Sequence, residues 1–141
     1  MSGPPSGRYI ISPAFLLQPS PGVGTEFLIG GTEKPVVFDP KLQVWNVDEF
    51  EPGKYRITQD GWFSEDEAGN VVVKVNTPPG QVWLIRQFAE NIHVIELDSP
   101  IIPRLFWTLR SAEPKSKVTI SLPEETFSFQ QWVFLPAPPE E

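Results

Sequence analysis

The sequence predicts an all-β domain of twelve short antiparallel strands in three groups of four, and three observations lead there. The pattern Gln-x-Trp-x-apolar occurs three times, as Gln43-Val44-Trp45-Asn46-Val47, Gln81-Val82-Trp83-Leu84-Ile85 and Gln130-Gln131-Trp132-Val133-Phe134. Recurrence of one mark along a chain indicates a repeated structural unit. The 17 prolines and 10 glycines are spread through the length, punctuating short segments rather than forming one tail. No window sustains the 3.6-residue apolar period of a capped helix.

Each mark has a physical reading. On a strand, alternate side chains share a face, so the Gln, the Trp and the following Val, Ile or Phe point together. That face must be buried. The indole fills volume, while the glutamine amide donates to and accepts from backbone that a ladder leaves unpaired. Trp45, Trp83 and Trp132 are therefore the expected centre of the core.

In the first unit, strands are expected at residues 8–11, 26–29, 35–38 and 43–47. A long loop, 13–24, separates the first two. It holds the apolar triplet Phe15-Leu16-Leu17 and then Pro19-Ser20-Pro21-Gly22-Val23-Gly24. The second unit opens on 54–57, the cleanest alternation in the chain, with Tyr55 and Ile57 inward. Gly53-Lys54-Tyr55-Arg56-Ile57 repeats Gly7-Arg8-Tyr9-Ile10-Ile11, a second recurring mark of Gly-basic-Tyr-x-Ile. Gln59-Asp60-Gly61 reads as a tight turn into Trp62-Phe63, Glu65-Asp66-Glu67-Ala68-Gly69-Asn70 as an acidic solvated turn, and 71–75 and 81–85 as strands. The third unit, with strands at 92–97, 104–109, 117–122 and 130–134, lacks the Tyr of the mark, and its first strand is ambiguous in register by one residue. A flexible Pro- and Glu-rich tail, 136–141, follows.

Twelve strands in three repeats, about 7–50, 51–90 and 91–135, read as one β-trefoil domain over 1–141: six strands close a barrel, and three hairpins cap one end.

Composition narrows function. A net charge of −7 is the wrong sign for binding nucleic acid or anionic membrane. With no cysteine, disulfides, thiol nucleophiles and thiolate metal sites are excluded. His93 is expected to face outward in a strand, without companions for a metal or a catalytic triad. No glycine-rich phosphate loop opens a helix. Neither catalysis nor a cofactor is expected, which leaves a binding module. The opening Met-Ser-Gly-Pro-Pro-Ser-Gly has no basic segment followed by an apolar one, so a cytoplasmic location is expected.

Two resemblances bear on what is bound. The triple Gln-x-Trp resembles the core signature of ricin-type β-trefoil lectins, which implies carbohydrate binding. Those sites also use an Asp early in the repeat, and 26–29, Glu-Phe-Leu-Ile, has none. The first third, from Gly7-Arg8-Tyr9-Ile10 through Pro21-Gly22-Val23-Gly24-Thr25-Glu26-Phe27 to Pro35-Val36-Val37 and Gln43-Val44-Trp45-Asn46-Val47, resembles the fungal β-trefoil protease inhibitors of the cocaprin, mycocypin and cospin type.

That resemblance implies a reversible inhibitor whose surface loops occlude the cleft of papain-like cysteine proteases, with pepsin-like aspartic proteases as a second class. It assigns protease contact to two loops. The first supplies Pro21, Gly22, Val23 and Gly24, where glycine backbone could enter a narrow cleft closely. The second, preferred for cysteine proteases, supplies Gly30, Gly31, Thr32, Glu33 and Lys34. Mycocypins that block legumain carry an Asn in the loop after strand five, absent from Gln59-Asp60-Gly61, so legumain is not an expected target. Lys34 is followed by Pro35, which spoils a trypsin-like scissile geometry. Phe15-Leu16-Leu17 is left as a candidate for aspartic-protease subsites, for a homodimer contact or for packing beneath the barrel mouth. Monomer and homodimer both remain open.

Overall fold

The computed structural model describes residues 3–16, 22–26, 32–39, 41, 43–75, 80–99, 104–125 and 127–138. Twelve strands run through them: β1 (Gly7–Pro13), β2 (Val23–Thr25), β3 (Glu33–Phe38), β4 (Trp45–Glu51), β5 (Lys54–Gln59), β6 (Trp62–Glu67), β7 (Asn70–Val75), β8 (Trp83–Ala89), β9 (Ile92–Leu97), β10 (Phe106–Thr108), β11 (Thr119–Ser121) and β12 (Trp132–Pro136). All pairings among them are antiparallel.

Six strands close on themselves in the order β1, β4, β5, β8, β9, β12 and back to β1. Closure removes the unpaired edges that an open sheet of this size would expose. The remaining strands form the pairs β2–β3, β6–β7 and β10–β11. These extra pairs are joined to one another by β3–β7, by Thr119 against Asn70, and by the isolated bridge Val37–Lys117.

The core lies inside the ring. Trp45, Trp83 and Trp132 are each fully buried, with Val47, Ile85 and Phe134 two residues on and also buried. Each strand begins at the Trp rather than at the Gln two residues earlier, so the glutamine sits at the strand's entrance. There the amide does what its chemistry allows. Gln43 Oε1 accepts from the Thr25 N–H (3.0 Å) while its Nε2 donates to the Thr25 carbonyl (3.2 Å), closing the free edge of β2. Gln130, fully buried in a 3₁₀ turn (Phe127–Gln130), donates to the Leu122 carbonyl and accepts from the Glu124 N–H. In the second unit the backbone N–H of Gln81 takes over, donating to the Ser64 carbonyl at 3.1 Å.

The indoles are satisfied in a common way. Each ring tryptophan donates to the first strand of the adjacent extra pair: Trp45 to the Val23 carbonyl (2.8 Å), Trp83 to the Ser64 hydroxyl (2.8 Å) and Trp132 to the Trp107 carbonyl (3.1 Å). Trp107 is a fourth buried indole that the triple mark did not reveal. It packs edge-on against Trp83 and Trp132, with centroids 5.4 and 6.0 Å away.

The Tyr mark proves to be positional. Tyr9 pairs with Trp45 and Tyr55 with Trp83, and in the third unit the residue opposite Trp132 is His93. This fixes the register that the sequence left ambiguous: Asn91-Ile92-His93-Val94-Ile95 aligns with Gly53-Lys54-Tyr55-Arg56-Ile57, and Asn91 takes the left-handed conformation (φ +61°) that Gly53 (φ +79°) adopts. His93 therefore does not face outward as expected. It is half-buried, its ring edge-on to Phe134 at 5.4 Å. Both tyrosines reach the N-terminal segment, Tyr9 donating to the Pro5 carbonyl and Tyr55 to the Pro4 carbonyl, each at 2.7 Å. Burial raises both phenol pKa values above the ordinary 10.0.

Other expectations are corrected. Val23 and Gly24 belong to β2, and Glu33 and Lys34 to β3; the expected strand at 26–29 lies, beyond Glu26, outside the described residues. Glu65, Asp66 and Glu67 are strand residues paired with Val72, Val71 and Asn70, because Ala68 and Gly69 alone make the turn, both with positive φ (53° and 87°). The same device, Asp60 (50°) and Gly61 (83°), makes the predicted turn from β5 to β6. Pro136, expected in a free tail, pairs with Tyr9 at the end of β12, and the Ala137 N–H donates to the Arg8 carbonyl (2.9 Å); 139–141 lie outside the described residues. Phe15 and Leu16 are partly buried and pack on the core, Phe15 edge-on to Phe129 at 5.6 Å, the packing that is one of the three expectations for the triplet; Leu17 lies outside the described residues.

Candidate functional site

The two predicted loops fare differently. Of the first, Pro21 lies outside the described residues, and Gly22, Val23 and Gly24 are buried. A β-carbon on Gly22 would stand 2.3 Å from the Ile11 carbonyl oxygen, and one on Gly24 2.2 Å from the Gln43 amide. Gly22 is thus set by close approach to the β1 backbone and Gly24 by the seat of the Gln43 amide, and both lie buried rather than on an exposed loop.

Of the second, Gly30 and Gly31 lie outside the described residues, while Thr32 and Glu33 are exposed and Lys34 is half-buried. Both ends of this connection are pinned. The Glu26 N–H donates to the Pro35 carbonyl (3.2 Å), and the Val75 N–H to the Thr32 carbonyl (3.1 Å). Glu33 stands opposite Lys74, and their charged groups are 3.8 Å apart. Lys74 is also ion-paired with Glu67, and that hydrogen bond is the main cause of its raised pKa.

Lys34 links this connection to the turn between β5 and β6. Its Nζ lies 4.4 Å from the ring centroid of Trp62, a cation–π contact. A hydroxyl–amide bond from Thr25 Oγ1 to Gln59 Oε1 (2.8 Å) ties β2 to β5, and Gln59 Nε2 donates to the Val44 carbonyl (3.3 Å). Between them is a hollow of about 360 Å³ lined by Thr25, Lys34, Gln43, Val44, Gln59 and Asp60. Asp60 and Trp62 thus join the predicted residues on one face. The sequence showed them only as turn chemistry, since nothing in 59–62 reveals which lysine will reach the indole.

This face offers hydrogen-bonding groups, one indole and paired charges. Among the described residues no group of three or more His, Asp or Glu side chains could hold a metal ion.

No protein-family profile matches the chain, and no curated protein sequence matches it. A solved structure does: a proteinase inhibitor from Coprinopsis cinerea superposes with a TM-score of 0.74 over 94% of this chain and 98% of its own, at 14% sequence identity. At that identity the likeness is one of fold, shared over nearly the whole of both chains.

Proposed function

We propose that the chain is a β-trefoil protease inhibitor that reversibly occludes the cleft of papain-like cysteine proteases, with pepsin-like aspartic proteases as a second class of target. The observation that carries the reading is the shared scaffold with the Coprinopsis cinerea proteinase inhibitor across nearly the whole of both chains. It is supported by the connection between β2 and β3, a Gly30-Gly31 pair carried on two hydrogen-bonded ends. Those bonds hold Glu26 and Thr32 on the scaffold, and contact groups on a fixed scaffold lose less freedom on docking. Backbone free of side chains can approach a narrow cleft closely. The contact residues proposed are Gly30, Gly31, Thr32, Glu33 and Lys34; of the first loop only Pro21 is retained, because Gly22, Val23 and Gly24 are buried.

The carbohydrate-binding alternative gains nothing from the triple Gln-x-Trp. Its indoles are in the core, and the Gln43 and Gln130 amides are spent on backbone. Trypsin is not a proposed target, since Lys34 lies in a strand paired with Val73 and precedes Pro35.

The test is a titration of papain, pepsin and trypsin with the protein, reading residual activity, beside a glycan array. Inhibition of papain that is lost when Gly30 and Gly31 are both replaced by Trp, with pepsin inhibition retained, supports the reading and separates the two sites. Full activity of all three enzymes at excess protein, with binding to a glycan, would replace it with the lectin reading.

A further inference from the structure

A second face, sharing no residue with the proposed protease contact, runs across β8, β9, β10 and the 3₁₀ turn before β12. At its centre is Glu96, only 6% exposed. Arg104 holds it in a bidentate pair, Nε to Oε2 at 3.0 Å and Nη2 to Oε1 at 2.9 Å, and Arg86 Nη1 lies 3.6 Å from Oε1. Those hydrogen bonds are the main cause of the raised Arg104 pKa. Both arginine side chains remain about half exposed, at 52% and 54%. One buried carboxylate thus hydrogen-bonds one guanidinium group and lies within ion-pair distance of a second, two positive charges to one negative on a chain whose net charge is −7.

A chain of aromatic contacts leads from Arg104 through the buried Phe106 to the partly buried Phe127 and the exposed Phe88. The Arg104 guanidinium lies 5.0 Å from the Phe106 ring centroid, Phe106 is edge-on to Phe127 (6.2 Å), and Phe127 is edge-on to Phe88 (5.1 Å). Phe88 is 56% exposed, a large share for an aromatic side chain. A bulge in the pairing of β8 with β9 holds it there, at a break in register between Gln87 and Ala89.

From this strip we infer an interaction surface for an acidic segment of a partner protein, one that sets a carboxylate on Arg86 and Arg104 and an apolar side chain on Phe88 and Phe127. Charge complementarity selects this occupant. Guanidinium groups held by a buried carboxylate are ordered before the partner arrives and keep N–H donors for a second carboxylate.

The probe is a short fluorescent peptide alternating Glu and Phe, with Lys-Phe and Glu-Gly peptides as controls, read by anisotropy at low ionic strength. Arg86→Gln and Phe88→Ala alter side chains that are more than half exposed and leave the Arg104–Glu96 pair intact. Binding of the Glu-Phe peptide that falls with added salt, weakens roughly tenfold in either variant and leaves papain inhibition unchanged supports the surface. Equal binding of the Lys-Phe peptide, binding indifferent to both substitutions, or no binding would overturn it. So would concentration-dependent self-association abolished by the same substitutions, which would assign the strip to a second copy. Loss of papain inhibition in the wild type overturns the inhibitor reading alone, because the two faces are measured separately.

Discussion

The indole N–H of Trp83 donates to the hydroxyl of Ser64 at 2.8 Å, and that hydroxyl donates in turn to the carbonyl of Ile57. Ser64 is 1% exposed and Trp83 fully buried, so neither partner has water as a substitute. The corresponding acceptors for Trp45 and Trp132 are backbone carbonyls, which no substitution removes.

Ser64→Ala should therefore strand both the indole N–H and the Ile57 carbonyl, destabilising the fold by about 1–3 kcal/mol. Chemical denaturation measures it. Trp83→Ala removes the ring as well and should cost about 3–5 kcal/mol. A Ser64→Ala variant as stable as the wild type would mean that the relay contributes nothing.

Gly22→Ala should destabilise by about 1–3 kcal/mol, because its β-carbon would meet the rigid Ile11 carbonyl at 2.3 Å. If Gly22 were instead an exposed wedge, the same change would leave the melting temperature alone and weaken protease inhibition. Thermal unfolding and papain titration on one variant separate these outcomes.

His93 predicts a pH dependence. Burial lowers its pKa below the ordinary 6.5, so the unfolded chain binds the proton more readily than the folded one. Its contribution to stability is full above pH 6.5 and declines as pH falls below that value toward the folded pKa. His93→Tyr, which installs the residue found at the corresponding positions 9 and 55, should remove this component. The check is the difference between the stability–pH curves of the two proteins. Parallel curves would refute it.

Lys34→Ala frees the face of Trp62 and removes a positive charge from the hollow that Asp60 also lines. It should leave stability within about 1 kcal/mol, the scale of an exposed cation–π contact. On the proposed reading it should also weaken papain inhibition by roughly tenfold. Undiminished inhibition would remove Lys34 from the contact.

Much of the scaffold is legible in the sequence because local chemistry and burial agree. Alternation in 54–57 follows from one face being buried, and Tyr55 and Ile57 are indeed fully buried. Asp60-Gly61 makes its turn because both positions need positive φ. A buried Trp two residues before a buried aliphatic or aromatic side chain marks the inner face in each unit. These features depend on a residue and its near neighbours in the chain.

The tertiary structure decided what depends on residues distant in sequence. Val23-Gly24 reads as loop, yet β3 pairs with it as a strand and the Gln43 amide holds the next residue, Thr25. His93 fills a tyrosine's position only because it faces Trp132 across the ring. Lys34 reaches an indole that lies on another strand pair. Periodicity specifies which side of a strand is buried, but it carries no information about which distant group will lie opposite; closure of the ring supplies that.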